Sequence, residues 1–143
     1  MILEFSKTIE HFELTPTEAR LFAYLYLKQE ALTLDQMSED LGNSKTAMSN
    51  SVRFLESTHL IQKVWRKGVR KHLYMANKEL YKSFIQSYKS KWLDMIHHQL
   101  EALHFLMENI PEGSREGELA EQLQTIIHFH KDLQETFRLI VDE

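Results

Sequence analysis

Lys45, Thr46, Ser49, Asn50 and Arg53 recur at steps of one, three and four along a stretch that begins with Ser44. On a helix those steps gather the side chains on one face. Their types suit one kind of chemistry: hydrogen bonds to base edges and ion pairs with phosphate oxygens. Ser44 adds a helix N-terminus whose unpaired backbone amides favour an anion. A short way downstream, Arg66-Lys67-Gly68-Val69-Arg70-Lys71 concentrates four cations around one glycine. Together these residues suit recognition of a polyanion, and the order of the segments suits duplex DNA. A merely solvated basic face is the alternative.

Bond-making chemistry has little to stand on. The chain has no cysteine, and it shows neither a phosphate-cradling glycine loop nor a Ser/His/Asp set at a recognisable turn. The expectation is that it is not an enzyme. Eight histidines, among them His97, His98, His104, His128 and His130, raise a zinc or nickel sensor as an alternative. His128 and His130, however, diverge by about 200° around a helix and cannot chelate one ion together. No metal or other cofactor is expected.

The elements that must position the candidate residues can be read from caps and periodicity. Ile2, Phe5, Ile9 and Phe12 give residues 2–12 an amphipathic helical start. Thr15-Pro16-Thr17-Glu18 opens the next helix with a capping box and a proline at its first position. Its buried stripe is expected to include Leu21, Phe22 and Leu25, widened by Tyr24, Tyr26 and Leu27. Thr33 with Gln36 caps a third helix that buries Leu34, Met37 and Leu41. Gly42 should end it in a left-handed turn. Ser44 then caps a fourth helix with core positions Met48, Val52 and Leu55, so two helices cross after a short turn, as in a helix-turn-helix. Leu60–Trp65 and His72–Ala76 read as strands of a hairpin whose basic tip forms a wing.

Beyond residue 78 the pattern becomes long helix. Leu80, Phe84, Tyr88, Trp92, Ile96, Leu100, Leu103, Met107 and Ile110 mark one face, and Pro111-Glu112-Gly113 breaks it before Ser114 caps a last helix. There Leu119, Leu123, Ile126, His130, Leu133, Phe137 and Ile140 follow a coiled-coil seam. Such a seam predicts a homodimer, which two-fold operator DNA also calls for. Packing back on the preceding long helix is an alternative compatible with it.

The fold expected is therefore mainly α: a winged helix-turn-helix with a small β-hairpin wing over residues 1–78, and long C-terminal dimerisation helices over 79–143. Charge follows the same division. The net charge is −4, yet residues 44–78 hold eight basic groups against one acidic group, a local excess of +7. A phosphate backbone attracts such a block whatever the rest of the molecule carries. The N-terminus lacks the basic flank and apolar run of a signal peptide, and no window approaches the ~18 apolar residues of a membrane span. A soluble cytoplasmic protein without a membrane partner is expected.

The helix-turn-helix and wing resemble those of MarR-type regulators. Residues 32–74, above all SKTAMSNSVR and KVWRKGVRKHLY, resemble the GbsR subfamily, repressors of glycine betaine synthesis and uptake genes. The resemblance spans residues 14–110 and fades in the final helix. It implies a dimeric transcriptional repressor that binds a double-stranded DNA operator and responds to choline, glycine betaine or a related quaternary ammonium compound. Such a cation offers no N–H to hydrogen-bond, so proteins hold it against aromatic faces worth about 0.5–2 kcal/mol each. The resemblance points to Trp65 and Trp92 as cage residues, and Tyr26 and Tyr88 could join them. Tyr24 or Tyr74 could replace Tyr26. Tyr88 and Trp92, one turn apart, also fit ordinary core packing, and a regulator without any small-molecule ligand remains the competing reading.

Overall fold

Capping chemistry fixes where the first helices begin. In the computed structural model, which describes residues 1–111, 113 and 117–141, helix α1 runs Ile2–Glu10, α2 Pro16–Lys28, α3 Leu34–Leu41 and α4 Lys45–Ser57. Strands β1 (Ile61–Val64) and β2 (Leu73–Ala76) follow, then helices α5 (Leu80–Glu108) and α6 (Glu118–Arg138). Thr15 with Glu18 and Thr33 with Gln36 each close a full capping box, and Pro16 occupies the first position of α2. Each box satisfies two otherwise orphaned amides, which is why these starts can be read locally. The architecture is the mainly helical winged helix-turn-helix that the sequence predicts.

The chain divides into two compact units, Met1–Ser87 and Tyr88–Glu143. In the first, Phe22, Leu21, Leu25, Met37, Met48 and Leu55 are fully buried. They come from α2, α3 and α4, so the core closes around the helix-turn-helix itself. Helix α2 is buried continuously from Leu21 to Leu25, but Leu27, expected to widen its apolar stripe, lies on the exposed side at 38%. Its angular position carries it past the core once Tyr24 has turned inward. The Tyr24 hydroxyl donates to the Asp40 carboxylate of α3. Burial and that carboxylate both raise the Tyr24 pKa above the usual phenol range.

The hairpin is antiparallel with Ile61 opposite Ala76 and Val64 opposite Leu73. Both strands are shorter than expected, because Trp65 and His72 lie outside the ladder. On its other edge β2 meets Leu32, which exchanges backbone hydrogen bonds of 2.9 and 2.8 Å with Tyr74. The base of the wing is thereby tied to the residue that precedes the cap of α3.

The second unit is the C-terminal part of α5 with α6. Its core holds Ile96, Leu100 and Ile110 with Ala120, Leu123, Ile127 and Phe137. Helix α6 packs back on α5, and that contact takes only part of the expected seam. Leu123 and Phe137 are buried as expected, but Leu119 and Ile126 are 58% and 45% exposed, and Ala120 and Ile127 take the inward places. The apolar residues of α6 span an arc of about 180° at 100° per residue. The expected seam ran down its middle, whereas α5 covers one flank. The expected cap Ser114 lies outside the described residues, and Gly117 is the N-cap of α6, without a side-chain hydrogen bond.

Candidate nucleic-acid interface

Helix α4 is oriented by what it buries. Met48, Val52 and Leu55 face the core with Ser51, so Lys45, Thr46, Asn50 and Arg53 stand exposed on the opposite side, with Ser49 half-buried at its edge. Thr46, Asn50 and Arg53, at steps of four and three, form one stripe along the helix. Ser44 caps the helix, its hydroxyl oxygen accepting from the Ala47 amide at 3.1 Å. Its own O–H is left to donate outward. The turn ahead of it is set by Gly42, left-handed at φ 70°, and by the Ser38 hydroxyl, which donates to the Asn43 carbonyl across the corner.

The wing tip is a four-residue turn in which the Val69 amide donates to the Arg66 carbonyl at 3.1 Å. Gly68, third in that turn, has φ 82°, a conformation glycine adopts without strain. Arg66, Lys67, Arg70 and Lys71 are all exposed around it. Arg53, Arg66, Lys67 and Arg70 make no ion pair among the described residues, which leaves their charges available to a polyanion.

Lys45 and Lys71 differ. The Asp35 carboxylate, in the first turn of α3, takes Lys45 Nζ at 2.6 Å on one oxygen and Lys71 Nζ at 2.7 Å on the other. The hydrogen bond from Lys45, then that from Lys71, pulls the Asp35 carboxyl down to about 2. A cleft of about 440 Å³ opens beside this trio, lined also by Thr33, Leu34, His72 and Tyr74. Asp35 was missing from the sequence reading. It belongs to an acidic block of the sequence, and nothing local connects it to a lysine 36 residues away.

The aromatic residues fall in separate settings. Tyr26 packs in the first unit's core, stacked on Phe22 and edge-on to Phe5. Trp65, just past β1, is 81% exposed. In the second unit Tyr88 and Trp92 come together with Phe137, whose ring lies 4.9 Å from Trp92 at an interplanar angle of 10°. That stack covers one face of Trp92. The histidines are spread out: His97 meets Glu101, while His98 and His130 bond carbonyls one turn back on their own helices. Among the described residues no three histidine or carboxylate side chains converge on a point where a metal could sit.

No family model matches the chain. Three proteins of Bacillus subtilis strain 168 are similar to it. The HTH-type transcriptional repressor OpcR is 31% identical over 96 residues, 67% of this chain and 52% of OpcR. The HTH-type transcriptional repressor GbsR is 32% identical over 87 residues, 61% of this chain and 48% of GbsR. The HTH-type regulator YvaV is 30% identical over 135 residues, 87% of this chain and 76% of YvaV. The chain belongs to the GbsR family of winged helix-turn-helix regulators. Membership places it among regulators rather than enzymes. This GbsR-family chain spans about half the length of OpcR and GbsR. A crystal structure of a transcriptional regulator shares the fold, with a TM-score of 0.65 at 16% identity, covering 96% of this chain and 90% of the other.

Proposed function

We propose that this GbsR-family chain is a cytoplasmic, homodimeric repressor that binds a DNA operator. Residues 1–78 form its DNA-binding domain and residues 79–143 its dimerisation and effector region. The observation that carries this reading is the exposed face of α4 together with the wing. Four cations there make no ion pair among the described residues, and both elements are held on a closed hydrophobic core. In this reading Thr46, Ser49, Asn50 and Arg53 address base edges in the major groove, Ser44 and Lys45 the adjoining backbone, and Arg66, Lys67, Arg70 and Lys71 the flanking phosphates. No helix among the described residues is long and apolar enough to cross a membrane.

The test is a titration of the full chain with duplexes from its own upstream region and with random duplexes across a salt series. Specific binding at a Kd of about 10⁻⁸ M or tighter with a steep salt dependence is the expected result. Failure to retard any duplex even at ~10⁻⁴ M, where non-specific binding ordinarily appears, would remove the reading.

The resemblance to the GbsR subfamily supports a finer reading, in which choline or glycine betaine shifts operator affinity and the regulated genes serve osmoprotection. Trp65, Trp92, Tyr26 and Tyr88 are its candidate aromatic contacts, and the exposed indole of Trp65 offers a free face. A second reading, a regulator with no small-molecule ligand, is favoured by the stacking of Trp92 on Phe137 and of Tyr26 on Phe22, which uses those faces for packing. Calorimetry with each compound, followed by Trp fluorescence in parallel, separates the two. Saturable binding abolished by Trp65→Ala or Trp92→Ala supports the effector, and no heat with either compound supports the ligand-free regulator.

A further inference from the structure

The Asp35 carboxylate bridges Lys45 at the start of α4 and Lys71 at the end of the wing loop. Its placement is built rather than incidental. Leu32 is held to Tyr74 of β2 by two backbone hydrogen bonds, Thr33 caps α3, and Asp35 follows in the first helical turn. The same few residues thus touch the base of the wing and present one oxygen to each lysine. Lys45 opens the reading helix and Lys71 ends the wing loop, so the pairs join the two parts of the candidate interface. All three side chains keep contact with water, Asp35 at 38% and the lysines at 69% and 68% exposure. Exposed pairs of this kind are weak, and a phosphate oxygen competes for the same ammonium groups.

We propose that Asp35 is a positioning residue of the DNA-reading surface: it holds Lys45 and Lys71 in the unbound protein and yields both to backbone phosphates on docking. This rests on the DNA-binding reading above. The latch orders the wing against α4 before contact and lowers the number of free cations the unbound surface displays. Every docking event then carries the cost of opening it. The carboxylate, left beside phosphates, adds a repulsion that further weakens binding to any sequence. The depressed Asp35 pKa agrees with a carboxylate that stays ionised, and the latch stays set, across the physiological range.

The test is a double-mutant cycle on duplex affinity, with Asp35→Asn, Lys71→Ala and the pair combined, measured at several salt concentrations. Glu39→Gln, on the same helix, controls for loss of charge alone, and thermal melts confirm that each variant folds. Asp35→Asn should tighten binding to operator and random duplex alike by about 10-fold. Lys71→Ala should cost less than about 2-fold in the parent and about 5-fold once Asp35 is replaced. In both backgrounds Lys71→Ala should shallow the salt dependence by about 0.9, one phosphate's worth. Additive changes across the cycle, or an effect of Asp35→Asn no larger than that of Glu39→Gln, would overturn the proposal. So would a salt dependence that Asp35→Asn steepens by nearly two phosphates, because the latch would then stay closed on DNA. A parent protein that binds no duplex would overturn the DNA-binding reading itself. Binding with an additive cycle would overturn the latch alone.

Discussion

Phe22 and Phe129 mark the contrast between the two units. Phe22 is wholly buried between helices of its own chain, whereas Phe129 stands 58% exposed on α6, with Leu119 at 58% and Ile126 at 45%. The first unit closes a core around its helices: α2 is buried across five consecutive residues and α4 turns only polar and charged groups outward, while Leu3, Trp65 and Tyr81 stay exposed as single side chains. The second unit covers one flank of α6 and leaves the other bare, and Phe105 and Leu106 of α5 are exposed at 64% and 55%. An exposed apolar stripe of that extent is the usual mark of an association surface. The contrast teaches that one chain suffices to close the core around α2, α3 and α4, while the helical part keeps an apolar flank open. The homodimer proposed above covers it.

The strongest way to break that comparison is to attack the closed core. Phe22→Ala should destabilise the protein by about 3–5 kcal/mol, the cost of a large cavity in a tightly packed interior. Chemical denaturation of the full chain measures it. A loss below about 1 kcal/mol would show that the first unit is far less tightly packed than its burial implies. The open flank of α6 gives the reciprocal test. Phe129→Asp combined with Ile126→Asp should weaken the dimer by about 2 kcal/mol or more, as removal of buried interface anchors does, while helix content stays constant. Sedimentation across a dilution series reads the change. An unaltered dimer would place its interface elsewhere. Next in size is Arg53→Ala, expected to cost about 1–3 kcal/mol on operator and much less on random duplex. Equal losses on both would assign Arg53 to the backbone rather than to a base.

The same contrast explains what could be read from the sequence. Caps and turns act over three or four residues, so Thr15 with Glu18, Thr33 with Gln36, Ser44 and Gly42 all declare themselves locally. The outer face of α4 follows once Met48, Val52 and Leu55 are recognised as core. Helix α6 is harder to read because its apolar arc is wider than α5 alone can cover. Periodicity favoured Leu119 and Ile126, while packing against α5 selects Ala120 and Ile127. Asp35 escaped for another reason. Its partners come from the next helix and from a wing loop 36 residues away, and the bridge of Leu32 to Tyr74 that brings them together is a single pair without a strand pattern. A charge count by blocks even set Asp35 apart from the basic region it neutralises. Trp65 reads as the last residue of the first strand, but the ladder ends at Val64 and leaves the indole outside.

Helix starts give the finest test of the difference. Three helices of the first unit, α2, α3 and α4, carry side-chain caps at Thr15, Thr33 and Ser44, whereas α6 begins at Gly117 with none. Ser44→Ala removes the acceptor of the Ala47 amide and should cost about 1 kcal/mol of stability, since alanine offers that amide nothing in exchange. Gly117 has φ −94° and ψ −179°, an extended backbone that serine adopts without strain. Gly117→Ser should therefore stabilise α6, but by only a few tenths of a kcal/mol, because glycine leaves the amides open to water and is itself a tolerable cap. Denaturation midpoints of the two variants, with unchanged denaturant slopes, measure both shifts. If Gly117→Ser gained as much as Ser44→Ala loses, the start of α6 would be closed to water by neighbouring structure, and the second unit would be more nearly complete in one chain than its bare apolar flank indicates.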